Sequence, residues 1–317
     1  MSNSHLPSIS VIMTVYNAEL FIDKAIQSIL NQTFIDFEFI IIDDGSEDKS
    51  AFHIRQYADS RIVFIPRIHC GRAKTLNFAV TQARSSLIAF MDADDISKKE
   101  RLEFQYAVFK KYPEIGVLSS WFYRVTATGQ IKRLVRLPEK HDAIESMMTR
   151  SCSILFGASM MRKSLIEQVQ GFNFEHNAED WDLFLRLLPL TLFYNVQKPL
   201  LYYRQHGNSI TGKYQKLQQR DSYLISRDYL LRKLELSNSL VERRQILFRL
   251  SLCEFSLGTI TSARIYLSEA AKMGEHSIHW AAYFFLFLLG DRTISLVRNI
   301  RDIAKRVVLN VVWKVKP

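Results

Sequence analysis

Along the first hundred residues, short apolar runs alternate with stretches whose apolar positions recur at helical spacing. Ile9 to Val15, Phe37 to Ile42, Ile62 to Ile65 and Leu87 to Met91 are β-rich runs bounded by polar residues. Between the first two, Phe21, Ile22, Ala25, Ile26 and Ile29 recur at i, i+4 and i+8. Leu76, Phe78, Ala79 and Ala83 form a second stripe ahead of the fourth run. Because Phe37 to Ile42 is apolar on both faces, the alternation predicts βαβ units and a largely parallel sheet covered on both sides. A helical pattern starts near Glu179, strand character returns at LLYYRQH, and beyond about Thr211 the chain reads as helix with few glycines. Tyr223 to Leu236 is amphipathic, and the stretch from Arg249 to Gly274 reads as a helical hairpin turning near Gly258. The expectation is an open α/β domain over residues 1–212 and an all-helical, basic region over 213–317.

Composition narrows the class. Of 317 residues, 48% are hydrophobic and 12% aromatic, which supports a substantial core and excludes a disordered or collagen-like chain. Cys70, Cys152 and Cys253 are widely spaced and odd in number, without a Cys-x-x-Cys pair. A disulfide scaffold and a zinc knuckle are therefore not expected, and a reducing compartment fits best. The opening MSNSHLPS has no basic segment followed by an apolar one, so no secretory signal is expected. The net charge is +10, and 7 Lys and 11 Arg against 9 acidic residues from Lys213 onward place nearly all of it in the tail. The run from Ile278 to Gly290 is shorter than the ~20 apolar residues of a spanning helix. Basic residues follow it from Arg292 to Lys316, an arrangement that suits either a buried helix or a membrane-surface segment. Small residues at Ala263 and Ala270 with aromatics at Phe255 and Tyr266 resemble a tetratricopeptide unit, but one copy is not a repeat array.

In open α/β sheets, ligands bind beyond the carboxyl ends of the strands, and two of the predicted strand exits carry carboxylates. Asp43 and Asp44, then Gly45 and Ser46, follow the second strand; Asp92, Asp94 and Asp95 follow the fourth. A third acidic cluster, Glu179, Asp180 and Asp182, opens a helix. Carboxylates two apart on an extended segment project to one side, so Asp92 and Asp94 can face one cation. A hard ion such as Mg²⁺ takes one or two protein carboxylates and completes its shell with water and substrate phosphates. The competing reading makes Asp94 or Asp95 the cap of a helix beginning near Ser97. Asp43 and Asp44 also suit a dinucleotide fold or a receiver domain, but TVYNAE has no glycine-rich turn, and a receiver would end earlier. Glu179 and Asp180 could complement the helix dipole alone.

Taken in order, VIMTVYNAE, DFEFIIIDDGSEDKS, GRAKTLN, MDADD with ERLEFQ, GASMMRKS with a later GF, AEDWDLFLR and YYRQHGNSIT make the chain resemble the family 2 glycosyltransferases, which have the nucleotide-sugar-binding GT-A fold. The resemblance spans Ser8 to Thr211. It implies a GT-A, mainly parallel mixed sheet flanked by helices, and a donor pocket bordered by Thr14, Tyr16, Glu19, Asp43 and Asp44. It sets Arg72 and Lys74 beside the sugar diphosphate. Asp92 would contact the ribose, Asp94 with His206 would hold Mn²⁺ or Mg²⁺, and Asp180 would be the catalytic base, oriented by Glu179. Trp121 and Trp181 are read as core residues that could stack on sugar or base. Cys70 stands where relatives more often have a polar residue, which bears on sugar selectivity.

The activity so implied is inverting transfer from a nucleotide sugar, UDP by family frequency, to a hydroxyl of a saccharide or lipid-linked saccharide in surface polysaccharide biosynthesis. The enzyme would be cytoplasmic, with the basic tail docked on an anionic membrane at the cytoplasmic face. An inactive GT-A-like scaffold stands as the alternative. A nucleic-acid-binding tail is weaker still, because its cations are spread along amphipathic helices without RNA-binding motifs, and no nucleic-acid partner is expected.

Overall fold

A computed structural model describes residues 6–149, 151–207, 209 and 215–274. The apolar run from Ile278 and the basic residues after it, on which the membrane-surface expectation rests, lie outside the described residues. The first four apolar runs form β1 (Ile9–Val15), β2 (Phe37–Asp43), β3 (Ile62–Pro66) and β4 (Leu87–Asp92). Every residue of β2 is buried, as a strand covered on both faces requires. The covering helices are α1 (Ile22–Leu30), α2 (Ser50–Arg55) and α3 (Arg72–Gln82). In α1 the stripe Ile22, Ala25, Ile26 and Ile29 faces the sheet, as its spacing predicts. In α3, Leu76 and Ala79 are buried, while Phe78 is half-buried beneath the Arg67 guanidinium, 3.9 Å from the ring centre.

These strands are parallel in the order β3-β2-β1-β4. The chain builds outward from β1 on one side and then crosses to its other side. A crevice therefore opens at the carboxyl ends of β1 and β4, where the strand order reverses. Val15 pairs with Asp43 and Thr14 with Asp92, so the two acidic exits flank β1 at two strand spacings, ~10 Å.

Past β4 the sheet becomes mixed. The elements are β5 (Ile96–Ser97), α4 (Arg101–Lys111), β6 (Ile115–Thr126), β7 (Ile131–Val135), α5 (His141–Met148), a 3₁₀ turn at Phe156–Ala158, β8 (Met160–Arg162), α6 (Lys163–Gln168), α7 (Glu179–Leu187) and β9 (Leu192–Gln205). The order continues β4-β8-β6-β9-β5, with β7 on β6. β8 is antiparallel to both neighbours, whereas β6 and β9 are parallel. The helix expected near Ser97 starts instead at Arg101, and neither Asp94 nor Asp95 caps it. Asp95 Oδ1 accepts the backbone N–H of Arg204 at 2.8 Å, which ties the turn after β4 to β9.

The chain separates into two compact units, residues 1–222 and 223–317. Helix α8 (Gln215–Leu236) carries the boundary, followed by α9 (Leu240–Leu257) and α10 (Ile260–Lys272). Gly258 ends α9 in the left-handed conformation, φ 88°, where a hairpin turn was expected. Leu230, Ile246, Leu250 and Cys253 form the core of the second unit. Among the described residues, no helix is long and apolar enough to cross a membrane.

One carboxylate fastens the crossover from β2 to α3. Asp44, 3% exposed, accepts from the backbone N–H groups of Cys70 and Gly71 at 3.0 Å each and from the Thr75 hydroxyl at 2.6 Å. It thereby satisfies donors at the entry of α3 that the helix itself cannot. The neighbouring turn requires glycine: Gly45 has φ 74°, and a Cβ there would lie 2.7 Å from the His69 nitrogen. Asp44→Ala leaves these donors unpaired and is expected to cost about 3 kcal/mol, measured as a lower urea midpoint at unchanged slope.

Candidate active site

The β1 and β2 exits are stitched together by short polar contacts. Asn17, at φ 52°, accepts the Glu47 N–H on its amide oxygen at 2.8 Å, and its own N–H donates to Ser46 Oγ at 3.0 Å. Asn tolerates the left-handed region better than most residues. Glu19 accepts the Lys49 N–H at 3.0 Å while its N–H donates to Asp48 Oδ2 at 3.0 Å, so its carboxylate braces the entry of α2. Asp43 Oδ1 accepts both the hydroxyl and the N–H of Ser46, at 2.5 and 3.2 Å. Exposed Tyr16 stacks on His69 with ring centres 4.3 Å apart. These contacts build one wall of the crevice, with Thr14 half-buried beside Asp92 at its floor.

The other acidic clusters meet in a cavity of about 280 Å³, with Arg72, Asp92, Asp94 and Asp180 on its lining. Arg72, at the first position of α3, donates from Nη2 to Asp92 Oδ1 at 3.1 Å and from Nη1 to Glu179 Oε1. Its guanidinium also lies 4.7 Å from the centre of the Phe156 ring. One cation thus joins the exit of β4 to the first turn of α7. Glu179, expected to orient Asp180, is the partner of Arg72. Lys74 does not join the lining; it is exposed, 5.3 Å from the centre of the Phe174 ring. Asp43 also stays off this lining, at the β2 exit. Trp121 is packed against the core and donates to the Leu137 carbonyl at 3.0 Å. The Trp181 indole nitrogen is buried without a partner among the described residues.

Burial and like charge set the protonation of the site. Asp180 is raised to about 6, first by desolvation and then by Glu179, with Arg72 opposing. Asp92 is also raised, by burial and against the pull of Arg72. Arg72 is held above its usual value: burial disfavours its charge, but Glu179, Asp92 and Asp180 together outweigh that. Desolvation, with Asp180 nearby, pushes the Cys152 thiol in the cavity wall up to about 12, so it stays protonated.

His206 Nε2 lies 2.9 Å from Asp94 Oδ2, and the Phe21 ring packs 4.5 Å from the imidazole. Among the described residues, no group of three or more His, Cys, Asp or Glu side chains is arranged to hold a metal ion. The pair offers two potential donors, one carboxylate oxygen and one imidazole nitrogen, with side chains 26% and 11% exposed. That set fits a hard divalent ion that draws the rest of its shell from water and phosphate oxygens. Behind it, Arg204, 2% exposed, donates to the Asp94 carbonyl at 2.7 Å and the Ala127 carbonyl at 2.6 Å.

A family model described as glycosyl transferase family 2 matches residues 10–170. The chain belongs to that family and is a glycosyltransferase. It is 33% identical over 216 residues to the O-antigen biosynthesis glycosyltransferase WbnJ of Escherichia coli, covering 66% of this chain and 84% of that one. It is 30% identical to the UDP-Glc:alpha-D-GlcNAc-diphosphoundecaprenol beta-1,3-glucosyltransferase WfgD of Escherichia coli, over 57% of this chain and 69% of that one. Among solved structures, S. aureus TarS 1-349 in complex with UDP-GlcNAc superposes with a TM-score of 0.63 at 19% identity, over 84% of this chain and 81% of that chain. The mannosyltransferase PcManGT from Pyrobaculum calidifontis, in complex with GDP-Man and Mn²⁺, gives 0.55 at 16% identity, over 98% and 89%. These likenesses carry the GT-A fold.

Several residues that shape the site of this glycosyltransferase carry little signal in the sequence. Arg101, fully buried, donates from Nη1 to the carbonyls of Phe90 and Gly157 at 2.9 Å each, which fixes the 3₁₀ turn against β4. Desolvation lowers it to about 10, with Asp95 and Asp92 opposing. Gly157 belongs to the GASMMRKS segment, and a Cβ there would sit 2.6 Å from Asp92 Oδ2. Only glycine lets the turn approach that carboxylate so closely. Gly157→Ala is expected to displace Asp92 from Arg72 and reduce turnover roughly 10²-fold, with folding checked by thermal melting and turnover by released nucleotide.

Proposed function

We propose that this glycosyltransferase moves a sugar from a nucleotide sugar, a UDP-sugar in the first instance, to a hydroxyl of a saccharide or lipid-linked saccharide, with inversion at the anomeric carbon. The observation that carries this reading is the meeting of Arg72, Asp92, Asp94 and Asp180 on one cavity at the carboxyl ends of the strands. The names of WbnJ and WfgD support a place in O-antigen or related polysaccharide synthesis, and the UDP-GlcNAc and GDP-Man complexes of the structural neighbours support a nucleotide-sugar donor. The same reading places the enzyme in the cytoplasm, at the face of the membrane where a lipid-linked acceptor would be met.

The donor lies with its nucleotide along the wall built by Thr14, Tyr16, Glu19, Asp43 and Asp44 and its ribose against Asp92. Arg72 supplies fixed positive charge beside the diphosphate, already oriented by Glu179 and Asp92, so no reorganisation is needed as charge develops. Lys74 adds to the positive field from outside the lining. Asp94 and His206 would hold Mn²⁺ or Mg²⁺, which when bound supplies Lewis acidity toward the leaving diphosphate. Asp180 takes the proton of the acceptor hydroxyl while its oxygen forms the new bond to the anomeric carbon. The old carbon–oxygen bond breaks and its electron pair leaves on the diphosphate. Single displacement from the opposite face inverts the configuration.

A base must be ionised to act. With Asp180 raised to about 6, kcat/KM is expected to be flat above about pH 7 and to fall tenfold per unit below about 6. Asp180→Asn removes that acid limb and lowers kcat by ~10²–10⁴; near-native turnover in this variant would defeat the assignment. His206→Ala is expected to raise the Mn²⁺ concentration for half-maximal rate roughly 10–100-fold, read from a metal titration of nucleotide release.

A further inference from the structure

Most guanidiniums around the cavity are matched by an acceptor. Arg72 has two carboxylates, Arg204 two carbonyls and Arg101 two carbonyls. Arg124 is the exception. It stands on β6 in the cavity lining, half-buried, and among the described residues its side chain makes no hydrogen bond or ion pair. Its Nε is buried and unpartnered, as are Nε and Nη2 of Arg101, but Arg101 is held through Nη1 whereas Arg124 has no side-chain bond. Directly across the β6–β7 ladder stands Arg133, exposed and outside the cavity lining. Opposed residues in an antiparallel pair share a face, with Cβ atoms ~5 Å apart, and like charges there repel. Burial first, and then Arg133, depress the pKa of Arg124. Two adjacent cations without a counter-charge are stabilised by an anion that both can reach, and paired guanidinium forks suit a phosphate dianion better than a single carboxylate.

The sheet separates this pair from the donor diphosphate. Ala89 on β4 is level with Met160 on β8 and Leu118 on β6. Arg124 is thus two strand spacings from β4, ~10 Å, and about three residues further out than Asp92, ~10 Å more. Phe122 and Tyr203 line the cavity beside it.

We propose that Arg124 and Arg133 bind a phosphate or diphosphate carried by the acceptor, so that the enzyme selects sugars attached through phosphate. The inference rests on the transferase reading above and adds the anchor that would hold the acceptor. The donor anion site is filled by Arg72 and the Asp94–His206 pair, which leaves the second cationic site for the other substrate.

The test uses the full chain saturated with UDP and Mg²⁺, so that the donor site is closed to competing phosphate. Calorimetry then measures binding of decyl diphosphate, methyl diphosphate and neutral decyl glucoside. Decyl diphosphate is expected to bind at least ~10-fold more tightly than the glucoside, in line with charge-assisted hydrogen bonds. Methyl diphosphate is expected to retain most of that advantage, which assigns it to the phosphate and not the chain. Arg124→Gln is expected to abolish the advantage. Arg133→Gln, at an exposed strand position that folding tolerates, is expected to weaken it ~3–10-fold. Equal binding of diphosphate and glucoside by the unaltered protein, or an advantage that survives both substitutions, overturns the proposal. Failure of the unaltered protein to bind UDP at all would instead strike the donor reading.

Discussion

The guanidinium of Arg72 is shared between carboxylates that reach it from separate parts of the chain, and the cavity depends on that sharing. Asp92 arrives from the end of β4 and Glu179 from the first turn of α7, 107 residues away from Arg72 in sequence. Buried charges are tolerated only when paired, so neither acidic cluster could be packed this close to the sheet without the cation between them. The cation in turn is placed by α3, whose entry is fastened to β2 by Asp44. Phe156 covers the guanidinium on one side. The chain of dependence runs from a buried carboxylate at a strand end, through a helix start, to the charge pattern of the site.

That pattern has a chemical consequence. Desolvation raises the Asp180 carboxyl first, and the charges of Glu179 and Asp92 raise it further. Arg72 opposes the rise, so the carboxyl is held at about 6 and not driven higher. A carboxylate in that range is a better proton acceptor than one in water and is still mostly ionised near neutrality. The same geometry accounts for the glycine at 157, because the turn that seals the far side of Asp92 leaves no room for a methyl group. Electrostatics and close packing here are two aspects of one arrangement.

Much of the frame is legible in the residues. Ile9 to Val15 reads as a β-rich run, Phe37 to Ile42 as a strand covered on both faces because it is apolar on both, and α1 as a helix because its stripe has the right period. The acidic clusters at Asp92, Asp94 and Asp180 stand out because carboxylates follow apolar strands or open a helix. Less legible were the local roles. Ser97 reads as a helix start and is a strand, since Asp95 is drawn to the Arg204 backbone across the sheet. Lys74 reads like Arg72, two residues before it, yet two residues on a helix turn the side chain to another face.

What the amino-acid order decides is therefore local: which segments become strands or helices, and which carboxylates lie at their ends, since periodicity and strand exits are properties of neighbouring residues. What the folded chain decides is association over distance. Asp94 meets His206 across 112 positions, Glu179 replaces solvent around Arg72, and Arg124 comes to line the cavity holding Asp180. No spacing in the chain encodes these meetings, because they follow from the order in which strands join the sheet. That order is set by the burial of the whole core and not by any one segment.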